Sequence, residues 1–449
     1  MKWYSFFVYS SLICTISLSN FSFGQFESLD WIKSASIYEV NIRQFSEEGS
    51  FQEFEKQLPR LKSMGVDIIW LMPIHPIGSE NRKGGLGSYY AVRDYKKINP
   101  EFGTLEDFKQ LVNKTHELGM KIILDWVANH SSPDNVWIEQ GHKDWYTLDS
   151  TGNIQPTLGT DWWDVADLNF ENAEMRKEMI SSMKYWVSET DIDGFRCDVA
   201  GWVPIDFWIE ARKELERIKP IFMLAEAEGP QLYEAFDMTY GWEFHHIMNE
   251  IFQGDKGIED MYVYFDKKSD NSSQLQMNFT SNHDENSWNG TVIERLGDSR
   301  FAFAVLAATI DGMPLIYNGQ ETSLDKRLKF FDKDTIDWVK MDLVEFYTKI
   351  LTLKKSNSAL WIGEGQGEME LSTNVFDDYT VLAFKRINSK NEVICIFNLS
   401  SQDAIFTNDT GYRYRKYTDL FTNKKVNLKR KKTISLGPWD YRVYYKTKD

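Results

Sequence analysis

Cysteine is rare in this sequence, and basic residues are fewer than acidic ones. Three cysteines occur in 449 residues and none forms a C-x-x-C pair, which excludes the usual cysteine-based metal sites. Cys197 and Cys395 lie far apart in apolar runs, so we expect two buried free thiols rather than a disulfide. Lys and Arg number 51 against 67 Asp and Glu, a net charge of −16. Nucleic acids and anionic membranes require basic patches, so this deficit argues against both and is compatible with a neutral partner.

The first 24 residues do not belong to the predicted fold. Lys2 supplies a short basic start, and Phe6–Leu18 is a mostly apolar run without charge. Gly24 ends the segment with a small residue, so we predict a signal peptide, residues 1–24, cleaved near Gly24. The run is too short for a confident membrane span, and Ile13 before Cys14 does not fit a lipoprotein signal. The prediction is therefore export to the periplasm or the exterior, without membrane insertion.

Aromatic residues, by contrast, are abundant, with 16 Trp, 21 Tyr and 29 Phe. Flat rings stack on the faces of sugars, but a large hydrophobic core also needs them, so the count alone decides little. The length leaves room for a barrel of about 250 residues together with one or two smaller modules.

Short apolar runs alternate eight times with amphipathic stretches. Each run has the length of a strand and is rich in β-branched or aromatic residues. This alternation predicts a closed parallel (β/α)8 barrel of the α/β class. A doubly wound sheet is the alternative, but no Gly-rich phosphate loop follows an early strand. The predicted strands are Ser36–Phe45, Asp67–Ile74, Lys121–Val127, Gly194–Ala200, Ile221–Ala227, Ala235–Tyr240, Gln276–Asn282 and Pro314–Gln320.

The segments between these runs predict helices and one insertion. Thr104–Met120 begins with a capping residue and has one apolar face. The connection after the third strand is far longer than usual and rich in Trp, which predicts a wall of the active site. The other predicted helices are Phe51–Met64, Asn172–Glu189, Ile205–Ile218 and Ser299–Ile310. The predicted domains are a barrel (25–130 and 172–357), an inserted domain (131–171) and a C-terminal β-sandwich (358–449), with strands near Tyr379–Lys385, Glu392–Leu399 and Tyr441–Tyr445.

Charged side chains mark the ends of four predicted barrel strands. Catalytic groups of such barrels project from the carboxyl ends of the strands, and buried charge is costly unless it is paired or used. The residues concerned are Asp125, His130, Arg196, Asp198, Glu226, His283 and Asp284. Glycoside hydrolysis is the chemistry that needs this set, because one carboxylate attacks the anomeric carbon or activates water and a second protonates the leaving oxygen.

Spacing along the strands suggests separate roles for these groups. Arg196 and Asp198 are two residues apart and share one face, so a fixed cation is expected to lower the pKa of Asp198 and keep it ionised as a nucleophile. Glu226 on the next strand is the candidate acid, its pKa raised by neighbouring carboxylates. His130 and His283 are placed to hydrogen-bond sugar hydroxyls.

These segments resemble the conserved strands of the α-amylase family of glycoside hydrolases. The resemblance rests on Asp125–His130, Gly194–Ala200, Leu224–Gly229 and Phe279–Asp284, with support from Gly65–Pro76, Ala166–Asn169 and Gly312–Glu321. It implies a retaining, endo-acting enzyme that cleaves α-1,4 bonds of starch-type glucans and maltooligosaccharides. The two catalytic carboxyl groups of retaining enzymes are roughly 5–5.5 Å apart.

The resemblance also implies a role for each residue. Asp198 would be the nucleophile, Glu226 the general acid/base and Asp284 a ligand of the sugar hydroxyls. Arg196, His130 and His283 would complete the subsite of the reacting glucose, and Tyr90 would stack under that sugar. The chemistry would need no cofactor.

The sequence departs from the family pattern at three places. Ala91 follows the stacking tyrosine where Asp is common, the insertion is short, and Gly201-Trp202 replaces a Lys-His pair. Asn129 matches a common calcium ligand, but without that histidine a structural calcium is doubtful. Asp198–Ala200 and the Pro204–Trp208 segment resemble the neopullulanase and cyclomaltodextrinase branch. A transglycosylase and a non-catalytic glucan-binding protein stay as alternatives, and the oligomeric state is open.

Overall fold

Eight parallel strands close into a barrel that sets the position of every other element. The computed structural model describes residues 26, 29–269, 274–363, 365–372, 380–408, 415–428 and 432–447, so the predicted signal peptide lies outside the described residues. Around the barrel the strands follow the order β1-β10-β9-β8-β7-β6-β3-β2. They are β1 Ile37–Val40, β2 Ile68–Leu71, β3 Lys121–Trp126, β6 Gly194–Cys197, β7 Phe222–Ala225, β8 Met238–Tyr240, β9 Gln276–Phe279 and β10 Met313–Tyr317; β4 His130–Ser131 and β5 Ala166–Asp167 form a small pair in the insertion.

The predicted barrel is confirmed, since seven of the eight apolar runs contain a whole barrel strand and the eighth covers β10 except for its first residue, Met313. The strands read as nearly continuous apolar runs because helices cover their outer face while the barrel interior buries the other. Ile37, Ile68 and Met277 belong to the inner cluster, whereas their chain neighbours Tyr38 and Ile69 belong to the cluster between strands and helices. This alternation fixes which side chains point into the barrel.

Helices connect the strands on the outside of the barrel. The helices are α1 Ile42–Phe45, α2 Phe51–Glu55, α3 Leu58–Met64, α4 Leu105–Glu117, α5 Val136–Glu139, α6 Ala173–Thr190, α7 Ile205–Glu216, α8 Trp242–Gln253, α9 Ile258–Ser269, α10 Val292–Leu296, α11 Arg300–Thr309 and α12 Val344–Ser356. The predicted cap of α4 is present, because the Thr104 hydroxyl accepts from the Asp107 backbone and the Asp107 carboxylate accepts from the Thr104 backbone. Within the described ranges, none of the helices is both long and apolar enough to cross a bilayer.

One segment that is predicted as a single helix forms two helices in the structure. The pattern over Phe51–Met64 predicts a single helix, but the structure has α2 and α3 separated at Lys56 and Gln57. Pro59 lies in the first turn of α3, where its missing N–H costs nothing, whereas in a helix interior it would remove a hydrogen bond. Proline therefore starts a second helix at this point.

The C-terminal residues form two antiparallel sheets that pack face to face. One sheet has the order β11-β12-β13-β18-β15-β16, and β14 pairs with β17 in the other. Val381 and Ala383 of β12 pack toward the small sheet, whereas Leu382 and Phe384 join the apolar cluster of the barrel. The strands are β11 Glu368–Leu371, β12 Val381–Ile387, β13 Asn391–Asn398, β14 Ala404–Asn408, β15 Arg415–Asp419, β16 Lys425–Leu428, β17 Lys432–Leu436 and β18 Tyr441–Thr447. The two predicted free thiols, Cys197 and Cys395, are both buried and unpaired.

Candidate active site

A single buried arginine contacts carboxylates at the ends of three barrel strands. Arg196 of β6 is fully buried, and its Nη1 donates to Oδ1 of Asp125 at 2.8 Å and to Oδ1 of Asp198 at 2.9 Å. Its Nη2 lies 2.7 Å from Oε1 of Glu226, and its Nε donates to the Tyr240 hydroxyl at 2.9 Å. The guanidinium therefore fixes carboxylates that follow or end β3, β6 and β7 in one place. Such a rigid planar fork suits several carboxylates better than a lysine would.

Asp125 is a buried support beneath the other carboxylates. Its Oδ2 accepts from the Tyr90 hydroxyl at 3.0 Å and from Nε1 of Trp70 at 3.3 Å. The Asp125 side chain is fully buried, so contact with a substrate is excluded in this structure. Its contacts position Arg196 and Tyr90.

His283 connects Asp284 to a glutamate of the first strand. Its Nδ1 lies 2.5 Å from Oε1 of Glu39, its Nε2 is 2.7 Å from the Tyr90 hydroxyl, and Nε2 is 3.2 Å from Oδ2 of Asp284. The rings of His283 and Tyr90 stack with centroids 5.5 Å apart. Five barrel strands, β1, β3, β6, β7 and β9, thus contribute side chains at or after their ends to one group of polar atoms.

The backbone is strained immediately after the candidate nucleophile. Val199 directly follows Asp198 and has φ 36° and ψ 44°, in the left-handed region that β-branched residues avoid. In that conformation its N–H donates to Oε2 of Glu226 at 2.8 Å. Strain of this kind persists only where the surroundings enforce it, and such positions cluster at functional sites.

Negative charge exceeds positive charge in this group. Three carboxylates contact Arg196 and two contact His283. Burial, and then the charge of Glu226, raises the pKa of Asp198 well above its ordinary value, with Arg196 opposing the shift. Arg196 does lower the pKa of Asp198 as expected, but the net shift is upward, because one cation shared among three buried carboxylates does not offset their desolvation.

The same crowding couples the two candidate groups. Burial raises the pKa of Glu226, Arg196 opposes the shift and Asp284 adds to it. The charge of Glu226 is also the second cause of the Asp198 shift, so the pair resists double ionisation and favours one shared proton. One carboxyl group can then act as an acid while the other is ionised and available as a nucleophile.

Asp284 and His283 form an ion pair with shifts in opposite directions. Burial alone would raise the pKa of Asp284, but the charge and hydrogen bond of His283 outweigh it, so the pKa is lowered. Burial alone would lower the pKa of His283, but Asp284 and Glu39 raise it well above its ordinary value. Asp284 is therefore ionised beside a protonated imidazole.

The groups face a cavity of about 970 Å³. The predicted residues that line it are Tyr90, His130, Asp198, Glu226, His283 and Asp284. Arg196 is not among the lining residues, so its expected part in substrate binding passes through Asp198 and Glu226. Burial lowers the pKa of His130 to about 3, which leaves a neutral imidazole for hydrogen bonding to hydroxyls.

Aromatic side chains form the rim of the cavity. Trp162 stacks on Trp202 with centroids 5.5 Å apart and an interplanar angle of 27°. Trp163 and Trp202 are 58% and 56% exposed, which is unusual for tryptophan away from a binding surface. Trp137 and Trp145 are buried, so the insertion divides its tryptophans between a core and the cavity.

Sequence reasoning missed several residues of this site. Glu39 carried a signal in the sequence, since a carboxylate inside an apolar strand is unusual. In the structure its side chain is buried. Phe330, Phe331 and Lys83 line the cavity from long loops and carried none. Loop residues reach a site through the path of the loop, which no strand or helix periodicity reports.

The residues present do not fit the calcium site that the resemblance allows. The Asn129 side chain donates to Oγ1 of Thr157 at 3.2 Å and lies 3.1 Å from Nδ1 of His130, which are neutral neighbours. Calcium prefers several carboxylate and carbonyl oxygens. In the part of the chain that the structure describes, no group of three or more His, Cys, Asp and Glu side chains could hold a metal ion.

Family models match most of the chain. The model described as "Alpha amylase, catalytic domain" matches residues 31–357, and "Maltogenic Amylase, C-terminal domain" matches residues 375–443. Among curated relatives, Alpha-amylase 3 of Dictyoglomus thermophilum is 28% identical over 339 residues, 66% of this chain and 65% of that protein. Maltogenic alpha-amylase of Bacillus acidopullulyticus is 25% identical over 429 residues, 88% of this chain and 70% of that protein. Cyclomaltodextrinase of Thermoanaerobacter pseudethanolicus is 25% identical over 398 residues, 80% of this chain and 65% of that protein.

Solved structures agree with this assignment over nearly the whole length. A noncanonic maltogenic alpha-amylase from Thermotoga neapolitana superposes with a TM-score of 0.84 at 31% identity, covering 93% of this chain and 100% of that one. An alpha-amylase from Lactobacillus plantarum gives a TM-score of 0.82 at 31% identity, covering 93% and 99%. The chemistry of the family needs no cofactor. With its closed barrel, its converging carboxylates and its match over residues 31–357, the chain belongs to the α-amylase family of glycoside hydrolases.

Proposed function

We propose that the protein is a retaining hydrolase of α-1,4-glucosidic bonds in starch-type glucans and maltooligosaccharides. The observation that carries this proposal is the contact of one buried Arg196 with both Asp198 and Glu226 at the floor of the cavity. Two carboxyl groups held together and sharing one proton, so that one can attack while the other donates, are what a double-displacement mechanism requires.

In the first step, a carboxylate oxygen of Asp198 attacks the anomeric carbon and the glycosidic C–O bond breaks. Glu226 transfers its proton to the departing oxygen, so the aglycone leaves as a neutral alcohol and Glu226 becomes a carboxylate. Asp284, ionised beside His283, accepts hydrogen bonds from sugar hydroxyls and stabilises the positive charge that develops on the ring.

In the second step, water replaces the aglycone. Glu226 removes a proton from the water as its oxygen attacks the anomeric carbon, and the ester bond to Asp198 breaks. The product keeps the α configuration, and both carboxyl groups return to their starting states. If a second sugar hydroxyl takes the place of water, the same residues carry out transglycosylation.

The surroundings of the carboxyl groups support a neutral sugar chain as substrate. Flat rings at the cavity, Tyr90 at its floor and Trp202 at its rim, offer faces for stacking, and neutral His130 offers a hydrogen bond. Relatives carry the printed names maltogenic alpha-amylase and cyclomaltodextrinase. Release of maltose from chain ends and action on cyclic or branched α-glucans are therefore the alternatives to internal cleavage.

The proposal also covers a non-catalytic alternative and the location of the protein. A non-catalytic glucan-binding role is the least supported alternative, because Asp198, Glu226, Asp284 and Arg196 are all present and in contact as one network. Export, to the periplasm or the exterior, is proposed on the apolar N-terminal run and the small residue Gly24.

The experiment follows products from soluble starch, maltoheptaose and pullulan for the wild type and for Asp198→Asn and Glu226→Gln. We expect the wild type to release α-anomeric maltooligosaccharides by NMR, and each variant to lose at least about 10³-fold in kcat, because each substitution removes a group that takes part in the chemical step. Asp298→Asn, at an exposed carboxylate on the surface, is the control and should keep wild-type activity. β-Anomeric products would contradict retention, and binding of glucan without cleavage would favour the non-catalytic alternative.

A further inference from the structure

The loop after β2 carries a lysine that reaches across the cavity to the insertion. Nζ of Lys83 donates to the carbonyl of Asp161 at 3.0 Å, lies 3.3 Å from Oδ1 of Asp164, and stands 4.2 Å from the centre of the Trp163 ring. The side chains of Lys83 and Asp164 are 12% and 5% exposed. Because water is largely excluded, these contacts are stronger than they would be at an open surface.

The same loop is joined on its other side to the segment after β10. Gly85 N donates to Oδ1 of Asp332 at 2.7 Å, and Leu86 N donates to the carbonyl of Phe331 at 2.9 Å. Gly84 has φ 62°, and a Cβ there would lie 2.5 Å from Cβ of Phe331, so only glycine permits this approach. The insertion, the β2 loop and the β10 loop thus form one continuous wall.

We call the part of this wall that lines the cavity the glycone wall, composed of Lys83, Trp163, Phe330 and Phe331. Phe330 stacks on Tyr90 with centroids 6.1 Å apart and packs against Phe331 at 5.2 Å. The stacked rings of Tyr90 and Phe330 are therefore in contact with the rest of the glycone wall through Phe331.

The order of the strands places this wall across the cavity from the acid. In the closed ring, β7 is separated from β1 by three strands on either side, and β1 lies between β2 and β10. Glu226 follows β7, whereas Lys83 follows β2 and Phe331 follows β10. Lys83 and Phe331 of the wall thus lie across the cavity from the acid.

The proposed chemistry gives this arrangement a direction. The acid must touch the oxygen that leaves, so the aglycone lies on the Glu226 side and the glycone lies toward the opposite wall. A closed wall on the glycone side limits how many sugar units can extend beyond the cleaved bond.

We propose that Lys83 clasps the β2 loop to the insertion and so closes the glycone end of the cavity. The protein then accepts a linear α-glucan from its non-reducing end and releases short oligosaccharides, instead of cutting within the chain. This inference rests on the proposed hydrolysis of α-glucans, and Lys83 acts in it as a specificity-determining residue.

The first test uses p-nitrophenyl α-maltoheptaoside in two forms, free or blocked by an ethylidene group at the non-reducing end, and follows the shortened p-nitrophenyl products by chromatography without an auxiliary glucosidase. We expect the free form to be cleaved and the blocked form to be cleaved at least about tenfold more slowly, since tenfold corresponds to 1.4 kcal/mol of lost transition-state binding. Equal rates would overturn the closed end and leave the hydrolase proposal intact. Cleavage of neither form, nor of starch, would overturn the hydrolase proposal itself.

The second test removes the charged contacts between Lys83 and the insertion. Lys83→Met keeps the length of the side chain and removes its charge, and we expect the blocked-to-free rate ratio to rise about tenfold, as loss of a buried ion pair and a cation–π contact implies. Lys83→Arg should restore the wild-type ratio because it keeps the charge and can stack on Trp163. Lys177→Met, at an exposed pair on α6, is the matched control.

A folded Lys83→Met protein with an unchanged ratio would overturn the proposal, as would a rise of equal size in Lys177→Met. If Lys83→Met does not fold, Asp164→Asn removes the partner of the ion pair and gives the same reading. A merely structural role for Lys83 would lower both rates together and leave their ratio constant.

Discussion

The two ends of the barrel interior are built on the same eight strands and have opposite chemistry. Toward the amino-terminal ends, the interior is filled by a cluster that includes Ile37, Ile68 and Phe222, all fully buried. Toward the carboxyl ends, equally buried positions hold Arg196 and Asp125. Apolar packing needs only complementary shape, whereas the charged layer needs each group to have its partner.

The difference shows where the fold gains stability and where it gives some up. Burial of apolar side chains contributes to folding outright, but burial of five carboxyl groups around Arg196 and His283 opposes it. Oε2 of Glu39 is buried without a hydrogen-bond partner among the described residues, and burial raises the pKa of Glu39. The catalytic layer is therefore held in place by the apolar layer below it.

The largest expected effect comes from removing the cation of the charged layer. Arg196→Met leaves Asp125, Asp198 and Glu226 buried without their partner, so we expect a loss of about 3–5 kcal/mol in the free energy of unfolding, together with loss of activity. Urea unfolding and maltoheptaose hydrolysis measure the two effects. Arg212→Met is the matched control, because Arg212 is equally buried and pairs with Asp237 outside the cavity. It should lose stability and keep its activity per folded molecule.

The same variant has a defined pH dependence. The folded-state pKa values of Asp198, Glu226 and Asp125 are raised above their ordinary values, so the folded protein binds more protons than the unfolded chain. Stability from these groups is therefore greatest at low pH and falls as the pH rises through the raised values. Without Arg196 these pKa values rise further, so the deficit of Arg196→Met should shrink from about pH 7 to about pH 4. A deficit that stays constant over this range would contradict the electrostatic account.

A smaller effect is expected in the apolar layer, and there it should separate from activity. Ile68→Ala creates a cavity at a fully buried position of β2, so we expect a loss of about 3 kcal/mol in stability with kcat unchanged per folded molecule. Thermal or urea unfolding checks this. Leu158→Ala, at a side chain 75% exposed, should stay within about 0.5 kcal/mol of the wild type. A fall in kcat for Ile68→Ala would show that the two layers are coupled.

The smallest effect is expected at the rim. Trp202→Ala removes an exposed ring stacked on Trp162, so we expect KM for maltoheptaose to rise about three- to tenfold with little change in stability. Val263→Ala is a control of similar exposure, 55%, outside the cavity. An unchanged KM would mean that the ring covers the insertion without contacting sugar.

Sequence patterns predict the barrel and its chemical end well, for a physical reason. Strand-length apolar runs and charged residues at their ends are local signals, so the eight strands and the convergence of Asp198, Glu226 and Asp284 follow from the chain alone. The break between α2 and α3 also had a local signal, Pro59 in the first turn of α3, but the apolar pattern alone predicted one continuous helix.

Two kinds of information are missing from the sequence. The pKa of Asp198 depends on how many carboxylates share Arg196, which is a property of the assembled site. The glycone wall depends on the paths of three loops, and its members Lys83 and Phe331 are far apart in the chain. Both become visible only when the strands bring their loops together.

The sheet of the C-terminal domain has consequences for how the molecule melts. One face of β12 packs against the small sheet and the other joins the core shared with the barrel, where Phe384 contacts Phe265 of α9. Lys349 of α12 also donates to the carbonyl of Phe421. A chain cut after α12 would leave that core open to water, so the barrel could not keep its structure unaided. We therefore expect the two domains to unfold together on heating, and a loss of packing in either to lower the stability of both.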